Sequence, residues 1–194
     1  MSSIYAQKYP RRDFYYSYLP ASSRLLISCF YLAMAAAIAL SVVMFHAKTS
    51  FQPSVAAEYV RGNENVERPA SPKMLFPKTK EELGDVSHPH LFIQGILLFI
   101  LAHLFTLTRL KDRSKSIVIV SAFASYLLGI AAPWLVRFVH PGLSYVQIGN
   151  MIVLTFALGY MMAVPFREMW WPKEPARQSQ NGESGVVKLA QHSL

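Results

Sequence analysis

Residues 87–110 read SHPHLFIQGILLFILAHLFTLTRL. From Leu91 onward the stretch is long and apolar enough to cross a bilayer as one helix. Yet His88 and His90 stand at its mouth, Gln94 lies one turn in, and His103 sits well inside. An ionisable side chain at the middle of a span costs on the order of 3 kcal/mol unless it is paired or hydrated, so each is a functional candidate.

Three more apolar blocks flank this one. The expected spans are about 24–46, 89–110, 116–140 and 143–166. The composition agrees: 53% of the 194 residues are hydrophobic and only 15% charged, too little charge for a soluble domain of this length. The fold class expected is all-α, an integral membrane up-down four-helix bundle occupying residues 24–172. Residues 1–23, with Lys8, Arg11, Arg12 and five tyrosines, suit an interfacial tail. Residues 173–194 are polar and poor in aromatics, the composition of a disordered tail. The apolar run at 24–46 starts too late and is too long for a cleaved signal peptide.

The polar connection 47–88 contains Pro53, Pro69, Pro72 and Pro77. It reads as an extended loop with one short helix near Lys80 to Leu83. Pro89 suits the first position of a helix and disfavours helical geometry at His88, so His88 is expected at the cap and His90 in the first turn. Small residues recur every fourth position at Ala33, Ala37 and Ser41, and again at Ser121, Ser125 and Gly129. Both rows are expected to be faces where helices approach closely.

The net charge of +8 is read as membrane orientation rather than nucleic-acid binding. Twelve of the 19 Lys/Arg lie in the two ends or in the short turn after the second span, which alone holds Arg109, Lys111, Arg113 and Lys115. By the positive-inside rule both termini are expected in the cytoplasm of a bacterial cell, with the chain in its inner membrane and loop 47–88 outside.

With that orientation, all four spans bring polar groups to one outer layer. His46 ends the first span, His88, His90 and Gln94 begin the second, Arg137 and His140 end the third, and Gln147 and Asn150 begin the fourth. One reading is a b-type haem held by His46 and His90, with Arg137 for a propionate, or a quinone-linked role at the same layer. A second is a Zn or Cu ion on His88, His90 and His46. A third is solvated interfacial histidines, with the protein a cofactor-free structural or assembly subunit. His103 lies 13 residues below His90 and has no histidine at its depth on another span, which removes a second bis-histidine haem.

Other chemistry is missing. The single Cys29 forms no intrachain disulfide or iron–sulfur site, and there is no C-x-x-C-H for covalent haem. There is no G-x-S-x-G, phosphate-cradling glycine loop or H-E-x-x-H, and no carboxylate inside a span to carry protons. The expected partners are lipid, other membrane subunits or a second copy, and a quinone or periplasmic electron carrier.

The stretch SHPHLFIQGILLFILAHLFTLT, with FPKTKEEL upstream and FASYLLG, LVRFVHPGLSY and PFREMWW downstream, is similar to small four-span bacterial inner-membrane proteins whose second span opens on H-x-H-L-F. The resemblance covers about residues 24–172 and implies architecture and location, without an activity.

Overall fold

The computed structural model describes residues 16–171. Both expected tails therefore lie largely outside the described residues. A single 3-10 turn, Tyr16–Tyr18, precedes five helices: α1 (Ala21–Thr49), α2 (Pro53–Arg61), α3 (Lys80–Thr106), α4 (Asp112–Phe138) and α5 (Ser144–Trp170). All but α2 are long and apolar enough to cross a membrane. The chain is all-α, with no strand among the described residues.

The helices are not equally engaged. α3, α4 and α5 pack against one another, whereas α1 leans on α2 and α5 and barely approaches α3 or α4. Only Tyr31 and Thr49 of α1 are buried. The main core lies in the half nearer the chain ends, around Leu101, Phe105, Ala122 and Met161. Tyr16, expected in a tail on the membrane surface, is instead part of that core, and its hydroxyl donates to the carbonyl of Leu104.

The two rows of small residues behave differently. Ser125 is buried, its carbonyl accepts 2.9 Å from Asn150 Nδ2, and a Cβ on Gly129 would come within 3.3 Å of the same nitrogen. Here α4 and α5 approach closely, as small residues allow. Ala33, Ala37 and Ser41 are exposed, and Ala37 and Ser41 line a cavity. The expectation of a close-packing face on α1 is therefore not met.

The second span begins earlier than its hydropathy suggests. Thr79 and Glu82 form a capping box: the Glu82 amide donates to Thr79 Oγ1 at 3.1 Å, and the Thr79 amide donates to the Glu82 carboxylate at 2.9 Å. This start signal outweighs Pro89, which sits inside α3 and removes one backbone hydrogen bond there. His88 and His90 thus lie about three turns into the helix, not at its cap and first turn. Thr79→Ala is expected to lower stability by about 1 kcal/mol, seen as a lower thermal midpoint in detergent; an unchanged midpoint would mean the cap is not what starts the helix.

The loop is also more built than expected. Its helix is α2, and residues 62–79 fold back over the loop-side end of the bundle. Glu58 accepts from the amides of Ala70 (2.7 Å) and Ser71 (2.8 Å) and from Asn63 Nδ2 (3.2 Å). Asn63 pairs with Leu75 in both directions. Gly62 turns this corner at φ 81°, where a Cβ would fall 2.7 Å from Pro77. Val60, Leu83 and Val136 make a small second core beneath.

Candidate functional site

Beneath that cap is a chamber of about 230 Å³ walled by α3, α4 and α5, with Phe45 of α1 at its edge. Its polar lining is Ser87, His90, Gln94, Gln147 and Asn150. It adjoins a second cavity of about 270 Å³, sharing Gln94, Tyr126, Met151 and Leu154 as walls. That deeper cavity is mainly apolar and runs between α1 and α3 down to Leu101 and Leu158. Because α1 and α3 barely touch, the pair forms a crevice with a polar head and an apolar body.

Helix geometry places the head. Gln147 and Asn150 are three apart and share a face of α5. Asn150 is buried and tied to α4 through the Ser125 carbonyl. Gln147 has a buried carbonyl oxygen with no hydrogen-bond partner. A buried amide oxygen without a partner is costly, which favours any movement that brings it a donor. On α3, Gly95 leaves room for Tyr126, whose hydroxyl donates to the Leu91 carbonyl; a Cβ there would lie 3.1 Å from that oxygen.

His90 is the most informative side chain. Its Nδ1 lies 2.7 Å from the carbonyl oxygen of Val86. A carbonyl only accepts, so this nitrogen carries the proton, and in the neutral ring Nε2 keeps its lone pair. A hydrogen bond to one ring nitrogen that fixes the role of the other is also how proteins orient metal-binding imidazoles. His90 is exposed like the other histidines of this end, but it lines the chamber, and in its neutral form Nε2 is the acceptor.

The other expected site residues are placed elsewhere. His46 is exposed and stacks on Phe51, ring centroids 5.1 Å apart. It thereby supports the turn after α1, where Ser50 and Phe51 both take left-handed backbone (φ 51° and 54°). His88 is exposed and meets the edge of Phe92. His140 caps the turn before α5, its Nδ1 accepting from the Gly142 amide at 3.0 Å; in its neutral form the proton is on Nε2. Arg137 Nε donates to the Lys78 carbonyl at 3.0 Å, holding the loop to α4. His103 is exposed and lies parallel to Phe99. The structure thus brings together His90, Gln94, Gln147 and Asn150, and leaves His46, His88, His140 and Arg137 outside the chamber. No group of three or more metal-binding side chains is assembled among the described residues.

Ser87 and Tyr126 also belong to the site and were not anticipated. Ser87 accepts from the indole nitrogen of Trp134 at 2.9 Å. The serine's place at the start of the apolar run was visible; the tryptophan that fixes it, 47 residues away, carries no local signal.

Four apolar helices of spanning length, three of them closed around a part-polar chamber, define a multi-pass helical membrane protein. The Aq_1264_TM family, described as a transmembrane helical domain, matches residues 50–176, well over half of the chain, and the chain belongs to that family. Comparison with curated proteins and with solved structures finds no match.

Proposed function

We propose that this protein is a small inner-membrane subunit serving electron transfer, and that its chamber holds the head of a membrane quinone or quinol. The observation that carries the reading is the pair of acceptors on one chamber: His90 Nε2, the acceptor of the neutral ring because Nδ1 donates to Val86, and the unpartnered Gln147 Oε1. A quinol offers two hydroxyl donors to such a pair. The amide nitrogens of Gln94 and Gln147 offer donors to the carbonyls of the oxidised form. The apolar lower cavity suits the isoprenoid tail, and the thin contact between α1 and α3 gives it a way in from lipid.

Quinone is preferred to haem because a quinone head needs one imidazole and bis-histidine haem needs two, and His90 is the histidine on this wall. Decylubiquinone titrated into the purified protein is expected to quench tryptophan fluorescence, since Trp134 bonds to a chamber residue. His90→Ala should weaken binding about tenfold, and His88→Ala should leave it unchanged. Equal affinity in wild type and His90→Ala would refute the site. A Soret band lost in both His90→Ala and His46→Ala would make the occupant haem. Near-stoichiometric Zn or Cu, lost equally with His88→Ala, would make it a metal ion. Protein with none of these, indifferent to substitution, would leave a cofactor-free structural or assembly subunit.

The same proposal places both termini in the cytoplasm. Reporters after Arg113 and Leu194 are expected to read cytoplasmic and one near Asn65 periplasmic. A cytoplasmic reading at Asn65 would put the chamber's head on the wrong side of the membrane.

A further inference from the structure

A second feature, independent of the chamber, lies at the opposite end of the bundle. There α1 and α5 diverge to leave a groove of about 560 Å³, walled by Leu25, Leu32, Gly159, Met162 and Phe166 among others. At its mouth, the guanidinium of Arg24 lies 5.5 Å from the centre of the Trp170 ring, and the Trp170 indole donates to Ser28 Oγ at 3.1 Å. Arg24 takes part in neither ion pair found among the described residues, and its Nε is buried without a hydrogen-bond partner.

Tyr31 adds to the apolar wall of the same groove. Tyr31 is 5% exposed, and its hydroxyl is buried with no partner. It lies seven residues beyond Arg24, thus about 10 Å deeper along α1. Its ring forms part of the groove's apolar wall, while the residue belongs to the core cluster that includes Tyr16.

We propose that this groove binds one phospholipid, its phosphate on Arg24 and an acyl chain along the apolar α1–α5 wall. Each part of the lipid meets the chemistry it requires in the right order of depth. A cation at the headgroup level favours phosphate, and an apolar channel follows beneath it. The tryptophan beside the arginine is at home at the same interface. A second protein helix would cover the apolar wall but would leave the arginine without an anion.

The test is native mass spectrometry of the detergent-purified full chain after incubation with dioleoyl-phosphatidylglycerol. Wild type is expected to retain one lipid. Arg24→Gln should reduce that occupancy about fivefold. Gly159→Leu should do the same by filling the groove, since a Cβ there meets no atom within 4 Å and the backbone need not move. Arg24 lies in the first turns of α1, away from the core, so Arg24→Gln decides the matter alone should Gly159→Leu fail to fold. Absence of a one-lipid species, or full retention by Arg24→Gln, would overturn the proposal, as would a dimer in place of the lipid adduct.

Discussion

Gly129→Leu is expected to lower stability by roughly 3 kcal/mol, enough to lose the folded bundle at moderate temperature, and Ser125→Leu to do nearly as much. Both positions lie where α4 and α5 come closest, and both enclose Asn150. A side chain at Gly129 would displace the Asn150 amide, and with it the 2.9 Å bond to the Ser125 carbonyl. The cost then adds overpacking to a buried amide left without an acceptor. Helical circular dichroism against temperature in detergent is the measurement. Ala37→Leu is the control: it occupies the same kind of position in the other small-residue row, but faces the crevice. It is expected to melt like wild type while excluding decylubiquinone. If Ala37→Leu proved as destabilising as Gly129→Leu, the crevice between α1 and α3 would not be open as described.

Glu58→Ala is expected to loosen the loop-side cap by roughly 2 kcal/mol, because it removes the acceptor of three hydrogen bonds that tie α2 to residues 63–71. The same group confers a pH dependence. Partial burial acts to raise its pKa, but hydrogen bonds from Ala70, Ser71 and Asn63 together hold it below the ordinary carboxylate value of 4.5. A depressed carboxylate contributes stability that is present above its unfolded pKa and lost as pH falls through the folded one. The cap should therefore be intact at neutral pH and begin to open below about pH 4.5. Hydrogen exchange of residues 62–79 reports it. Exchange that is equally slow in Glu58→Ala and wild type, or that does not accelerate in acid, would show that Glu58 is not the hub.

Much of the architecture was legible because the bilayer imposes a strong constraint. About 20 apolar residues in a row have few alternatives to a spanning helix, and four such runs fixed the class. Where the reading went astray, a local signal competed with a more distant one. Pro89 is a strong mark of a helix start, and hydropathy begins beside it. The capping box at Thr79 and Glu82 lies in a polar stretch, where it resembles loop. The small-residue row on α4 meets α5, while that on α1 lines a cavity, and nothing in a four-residue spacing distinguishes the two. Depth along the helices was readable, so Gln94, Gln147 and Asn150 were placed together with His90. Rotation about each helix axis was not. Rotation decides that His88, two residues from His90 and so on another face, lies outside the chamber, and that His46 turns to Phe51.

The boundary of the family match coincides with a boundary in the packing. It begins at Ser50, the left-handed cap that closes α1, and so leaves out the helix that buries least. What remains is an odd number of spans, and its first residue lies on the loop side of the membrane. α1 therefore acts as an adaptor. It carries the start of the chain back across the bilayer and closes one flank of the crevice, while the cap of residues 50–79 and the three-helix body keep their own contacts. Exchanging it for a leading segment that does not cross the membrane would reverse the sidedness of the chain's beginning and open the crevice on that flank. The polar head of the chamber, built on α3, α4 and α5, would stay where it is.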